Sequence, residues 1–281
     1  MDMLDYFAER NSRIISFVGA GGKTTAMYTL AAAFAARGLK TLVTTTTHIE
    51  MPDKTLWAKN EEEVRRLWQS GSYAVVGTEP RAAGAATEGA ATEGATTEGT
   101  AEAEPRAGTA AETGTELPPP FFAALPQVRK ITGLSKPERS LYFDMAEVVL
   151  IEADGAKRMP CKVPAAHEPM ILKECDTVVG VMGIRSVGRP LREVCFRLEE
   201  AQKSFGCHPD ERLTPELAAE FLASELGTKK NVGTRNYCVM LNPCDGDELL
   251  SIGSRIRRLL EKKGIYSCML TAFRERGTEY L

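Results

Sequence analysis

The stretch Ile14-Ile15-Ser16-Phe17-Val18-Gly19-Ala20-Gly21-Gly22-Lys23-Thr24-Thr25 decides the fold. Its apolar half reads as a strand buried on both faces, as in a parallel sheet. The glycines allow a tight turn and close approach of the backbone to a ligand. A helix opening at Lys23-Thr24-Thr25 points unpaired N–H groups and the positive end of its dipole at that turn. Lys23 adds a full charge, and the Thr24 or Thr25 hydroxyl is suited to Mg²⁺. Together these are the parts of a phosphate-binding loop. The loop is a variant, because Phe17 stands where the usual pattern begins with glycine. A dinucleotide fingerprint fits less well, since its third glycine falls on Thr24.

Further strand and helix patterns alternate along the chain. Met27, Leu30, Ala31 and Phe34 share a helical face that ends near Arg37-Gly38. Leu39 to Val43 is a second strand that runs into Thr44-Thr45-Thr46-Thr47-His48, on the sheet edge where ligands collect. The Thr44–Thr47 hydroxyls and His48 are therefore candidates for a role beside the loop. Glu61 to Gln69 is helical, and Tyr73 to Gly77 a third strand. Val148-Val149-Leu150-Ile151 is the most apolar strand, and it ends in Glu152-Ala153-Asp154-Gly155-Ala156-Lys157. Acids at the carboxyl end of such a strand are what a phosphate-loop protein uses to hold Mg²⁺ and its water. Two carboxylates there repel each other unless a cation lies near.

The three prolines 160, 164 and 169 make the next stretch a loop or rigid crossing that carries His167 and Glu168. A strand over Thr177–Met182 precedes Arg185 and Arg189, candidates to reach phosphate. Leu198, Ala201 and Phe205 form one helical face, and Leu217, Phe221 and Leu222 another, with Pro215 opening the second helix. Tyr237–Leu241 is a strand ending in Asn242-Pro243-Cys244-Asp245. Asn242 and Asp245 have the spacing of the base-reading motif of GTPases, although Pro243 replaces the usual lysine. The alternative is an ordinary helix cap by Asp245. A long helix with Leu249, Ile252, Ile256, Leu259 and Leu260 follows, then a strand at Cys268–Leu270.

This alternation predicts an α/β fold, a doubly wound, mostly parallel sheet with helices on both faces, like that of P-loop NTPases. One domain is expected over 1–77 and 121–281. Residues 78–120 interrupt it with an Ala/Thr/Glu/Gly repeat that has no side chain able to build a core, and this insertion is expected to be disordered.

The net charge of −3 gives no hint of nucleic acid or an anionic membrane as partner. The insertion holds eight Glu and two Arg, a local −6 that leaves the remainder at about +3. No apolar run approaches the roughly 20 residues of a membrane span. The acidic Met1–Tyr6 start lacks signal-peptide shape. Seven cysteines, an odd number and never in Cys-x-x-Cys spacing, favour a reducing cytoplasm without a disulfide framework or zinc site.

The sequence resembles the YqeC family, named for accessory factors in selenium cofactor biosynthesis for selenium-dependent molybdenum hydroxylases. The matching stretches are Val18–Thr24, Val43–Thr47, Ile151–Lys157, Pro164–Pro169 and Leu241–Asp245. The resemblance implies a nucleotide-dependent maturation factor, with a molybdenum hydroxylase or its selenium/molybdenum cofactor as partner.

From the residues, the expectation is a cytoplasmic nucleotide-binding protein that takes ATP or GTP with Mg²⁺. Gly19, Ala20, Gly21, Gly22, Lys23, Thr24 and Thr25 cradle phosphates, Asn242 and Asp245 are the base-site candidates, Thr24, Glu152 and Asp154 hold the metal, and Lys23, Glu152 and Asp154 act in turnover. A small-molecule kinase or ligase, and a nucleotide-gated scaffold without fast turnover, are alternatives built on the same site.

Overall fold

A computed structural model of the chain describes residues 3–50, 54–79, 130–273 and 278–280. The repeat insertion lies outside these residues except for Thr78 and Glu79. In chain order the elements begin with α1 (Met3–Glu9), β1 (Ile14–Gly19), α2 (Lys23–Ala36), β2 (Thr41–Thr45), β3 (His48–Glu50), α3 (Glu61–Gln69) and β4 (Ala74–Val75). After the insertion come β5 (Lys130–Thr132), α4 (Lys136–Met145), β6 (Val148–Glu152), β7 (Cys161–Lys162) and β8 (Thr177–Gly183). The last part holds α5 (Leu191–Val194), β9 (Cys195–Phe196), α6 (Leu198–Phe205), α7 (Pro215–Ala223), β10 (Asn236–Asn242), α8 (Asp247–Lys262), β11 (Cys268–Phe273) and β12 (Thr278–Tyr280).

The main sheet has the order β4-β2-β6-β1-β8-β10-β11-β12. Its first seven strands are mutually parallel, and β12 closes one edge antiparallel. All six residues of β1 are buried, which is why it reads as a nearly continuous apolar run, broken only by Ser16 before the closing glycine. Its side chains alternate between two layers. Ile15 and Phe17 pack with Met27, Leu30 and Phe34 of α2, whereas Ile14 and Val18 join Val64 of α3 and Tyr142 and Phe143 of α4. Farther along that second face, Val239 and Leu241 of β10 meet Phe221 and Leu222 of α7 and Ile256 and Leu260 of α8. Helices therefore cover both faces, as a doubly wound fold requires.

Two details depart from the sequence reading. The N-terminal residues, expected only to lack signal-peptide shape, form α1, which buries Met3, Leu4, Tyr6 and Phe7, with the Phe7 and Phe34 rings 6.1 Å apart. The proline-rich crossing is also less irregular than expected, because Cys161 and Lys162 pair in parallel with Cys195 and Phe196. As expected, no disulfide forms. All seven cysteines are free.

The strand order reverses beside β1. From β1 the chain passes through α2 to β2, which lies beyond β6. After β6 it crosses to β8 on the opposite side of β1. Open α/β sheets bind ligands outside the carboxyl ends of the strands at such a reversal. The register brings Phe17 of β1 and Thr45 of β2 level with Glu152 of β6. The glycine loop, the threonine run and the acidic strand end thus share one sheet edge.

Candidate functional site

The loop after β1 is crowded at two glycines, by backbone atoms at Gly21 and by the Asn242 side chain at Gly22. Gly21 has φ +78°, and a Cβ there would come within 2.2 Å of the Gly183 amide nitrogen. Gly22, the residue preceding α2, has φ +115°, and its Cβ would meet Asn242 Nδ2 at 2.5 Å. L-residues with a Cβ rarely adopt such φ, so both positions need glycine twice over. Two of the expected loop donors are already engaged. The Gly19 amide donates to Asp154 Oδ2 at 3.0 Å and the Ala20 amide to Val181 O at 2.9 Å. Gly21, Gly22, Lys23, Thr24 and Thr25 line the cavity beyond, where α2 opens. The first N–H groups of a helix lack intrahelical acceptors and so suit an anion.

Lys23 is buried, and its ammonium donates to Gly19 O at 2.6 Å. It lies 3.1 Å from Asp154 Oδ1 and 3.9 Å from Glu152 Oε1. Thr24 Oγ1 donates to Glu152 Oε2 at 2.8 Å. The two acids at the end of β6 therefore occupy different surroundings. Glu152 reaches the cavity and shares the Thr24 hydroxyl. Asp154 is only 1% exposed and sits beneath the loop.

The cation expected between these carboxylates is supplied by the chain itself. Besides Lys23, Asp154 faces Lys162, whose side chain is fully buried and whose Nζ lies 3.1 Å from Asp154 Oδ2. Lys162 Nζ also donates to Gly155 O at 2.6 Å and lies 3.0 Å from Glu168 Oε2. Arg197 closes the series with its Nε and Nη2 on the two Glu168 oxygens, at 2.9 and 3.1 Å. Burial pushes the Glu168 carboxyl up, but the bonds from Arg197 and Lys162 outweigh it and hold it at about 2. The resulting chain, Arg197–Glu168–Lys162–Asp154–Lys23, ties the proline-rich crossing to the glycine loop. The sequence reading missed Lys162 because a lone lysine after a cysteine carries no motif. Its burial depends on β7 pairing with β9.

The cavity outside the loop measures about 710 Å³, within the range of small-molecule sites. It is also lined by Thr47, His48 and Lys130, together with Ala156, Lys157 and Arg158 from the turn after β6. The sequence reading assigned no role to Lys130, Lys157 or Arg158. Thr44, Thr45 and Thr46 border a smaller neighbouring cavity of about 290 Å³ that shares Thr47.

Several candidates fall elsewhere. Asn242 packs behind Gly22, with its carbonyl 3.4 Å from Thr271 Oγ1, and does not line the cavity. Asp245 neither lines it nor caps α8. Its carboxylate takes both bonds from Arg185 Nη2, and Gly246 precedes the helix. Arg185 is thereby occupied, Arg189 pairs with Glu193, and His167 is exposed away from the cavity.

A mostly parallel sheet wound by helices on both faces, with a glycine loop, a buried lysine and an acid at the switch point, defines an α/β protein with a cavity at the carboxyl ends of its strands. A family model, the YqeC protein, matches residues 15–199, and the chain belongs to this family. It is 29% identical over 231 residues to the Escherichia coli (strain K12) protein called "Uncharacterized protein YqeC", an alignment that spans 82% of this chain and 75% of that relative. No solved structure matches the chain. Among the described residues no helix is long and apolar enough to cross a membrane.

Proposed function

We propose that this chain binds a nucleoside triphosphate, ATP or GTP, with Mg²⁺ in the 710 Å³ cavity and uses it as a cytoplasmic accessory factor. The observation that carries the reading is Lys23 at the mouth of α2, directly after two left-handed glycines that admit no side chain. Gly21, Gly22 and the first amides of α2 take the phosphates. Lys23 then exchanges part of its contact with Asp154 for phosphate oxygens, and Lys162 keeps Asp154 neutralised as it does so.

Mg²⁺ prefers oxygen ligands and keeps several waters. The Thr24 hydroxyl and the Glu152 carboxylate, 2.8 Å apart at the cavity floor, are a donor pair of that kind. Of the two acids, Glu152 is the metal-side residue. Asp154 anchors the loop, because both its oxygens already face buried ammonium groups. Bound metal supplies charge neutralisation on the phosphates, and the chain supplies orientation and exclusion of water. The biological role, helping to mature a selenium-dependent molybdenum hydroxylase or its cofactor, rests on the family resemblance.

Calorimetric titration with ATP and GTP, with and without Mg²⁺, tests binding, and phosphate release tests turnover. Absence of binding by both nucleotides refutes the reading. Binding without release places the protein among nucleotide-gated scaffolds.

A further inference from the structure

Apart from the main sheet, the short strands β7 and β9 pair in parallel, with Cys161 opposite Cys195 and Lys162 opposite Phe196. Lys162 holds Asp154 and Glu168, and Arg197, the residue after β9, holds Glu168 from its other side. This strand pair therefore positions two cations of the ionic chain. Successive side chains of a strand point to opposite faces, so the two cysteines turn away from Lys162. They join an apolar cluster with Ile184, Leu213 and Phe221.

Residues opposite one another in a ladder project to the same face, and neighbouring strands lie about 4.8 Å apart. The Cα atoms of a disulfide are usually about 4.4–6.8 Å apart. The backbone thus already holds Cys161 and Cys195 within bonding reach. Both are free thiols, Cys161 fully enclosed and Cys195 4% exposed. The thiols also touch. The Cys161 S–H donates to the Cys195 sulfur, a bond that pushes the Cys161 thiol up and draws the Cys195 thiol down. The other five cysteines lack this arrangement. Cys238 and Cys268 sit on adjacent strands, but Cys268 is level with Val239, so the two sulfurs take opposite faces. Cys207 shares the apolar cluster yet belongs to no strand.

We propose that Cys161 and Cys195 are a reversible dithiol site, which a hydroperoxide converts to a disulfide that clasps β7 to β9. Cys195 reacts first, because it alone of the pair keeps exposed area and its sulfur is the more readily ionised. Its sulfur attacks one peroxide oxygen. An S–O bond forms, the O–O bond breaks, and the departing oxygen leaves as water with the thiol proton. The Cys161 sulfur then attacks the sulfenic sulfur of Cys195. The S–S bond forms, the S–O bond breaks, and the hydroxyl leaves as a second water with the Cys161 proton. Two thiols have lost two electrons, and one hydrogen peroxide has become two waters. A thiol reductant reverses the step by exchange. The cross-link closes the loop between the strands and so restricts the unfolded chain, which favours the folded state when the native geometry already suits the bond.

The test uses the full chain, folded and reduced, with hydrogen peroxide as the oxidant. Remaining thiols are blocked with N-ethylmaleimide, and peptides are mapped by mass spectrometry without reduction. The expected result is the loss of two of the seven free thiols, a single peptide pair linked through Cys161 and Cys195, and full recovery with dithiothreitol. The oxidised protein should melt no lower than the reduced one. In Cys161→Ala the disulfide should be absent and the Cys195 sulfenic acid should be captured by dimedone. Three results overturn the proposal: no Cys161–Cys195 link while the protein is folded, a link that pairs either residue with Cys207 instead, or a melting temperature lower in the oxidised protein than in the reduced one. Peptide mapping of the wild type decides the matter even where the alanine variant does not fold.

Discussion

Replacing Lys162 with methionine keeps an unbranched apolar stem and removes the ammonium that joins Asp154 to Glu168. Lys162 is fully buried and has three oxygen partners, Asp154 Oδ2 at 3.1 Å, Glu168 Oε2 at 3.0 Å and Gly155 O at 2.6 Å. Removing one member of a buried ionic cluster leaves its partners desolvated and uncompensated, at a cost of about 3–5 kcal/mol. In a domain of this size each kcal/mol moves Tm by about 2–4 °C, so the expected fall is about 6–20 °C at pH 7. The pH dependence separates this cause from a simple packing defect. In the wild type the bonds from Arg197 and Lys162 hold the Glu168 carboxyl at about 2 instead of the usual 4.5, so its contribution is present above about pH 4.5 and is lost as pH falls toward 2. A shift of that size corresponds to about 3 kcal/mol. Without Lys162, Glu168 retains Arg197 alone and its carboxyl titrates closer to the usual range. The stability difference between wild type and Lys162→Met should therefore shrink as pH is lowered from 5 to 2. Urea unfolding at a series of pH values measures it. A fall in Tm of less than about 3 °C, or a difference independent of pH across that range, refutes the assignment of Lys162 as the counter-ion of Asp154 and Glu168.

Three other outcomes follow from the same geometry. Lys23→Ala removes a charged hydrogen-bond donor worth about 1.5–3 kcal/mol and should weaken nucleotide binding at least tenfold by calorimetry, with equal affinities counting against a phosphate loop. Glu152→Gln should fold normally and lose most of the Mg²⁺ dependence of binding or turnover, whereas Asp154→Asn should lower Tm as well, because Lys23 and Lys162 lose their shared counter-ion; unchanged melting in Asp154→Asn would return that residue to the metal-side role. Replacing residues 81–128 by a short Gly/Ser linker should leave Tm within a few degrees of the parent, since Thr78 and Thr132 already pair through two backbone bonds of 3.0 and 2.8 Å and hold the two ends of the excision together; a large loss would show that the segment packs on the domain.

Much of the fold was legible because burial on both faces leaves a simple imprint. The β1, β6, β8 and β10 runs are predominantly apolar, and glycine, proline and cap residues punctuate them. Thr214 accepts from the Leu217 amide and Pro215 opens α7, as that local pattern implies. The helix α1 was less legible, because its seven residues are too few for periodicity to stand out and its stability comes from contact with α2. The antiparallel strand β12 was likewise not anticipated, since its partner is supplied by β11.

At the site, the division between sequence and structure follows the range of the interactions. The glycine loop, Lys23, Thr24 and the acids after β6 belong to contiguous stretches whose chemistry depends on neighbours a few residues away, so the sequence alone marked them as phosphate- and metal-binding candidates. It also marked Asn242 and Asp245 by spacing, yet spacing does not say what a side chain meets across the fold. Asn242 fills the space where a Gly22 Cβ would stand, and Asp245 meets Arg185. Only the tertiary structure ranked Glu152 against Asp154. Their relation to the cavity depends on Lys162, eight residues beyond Asp154, and on Glu168 and Arg197, which β7, β9 and the proline-rich crossing bring beneath the loop. Buried charges must find partners wherever the fold places them, and no local pattern encodes which partner that will be.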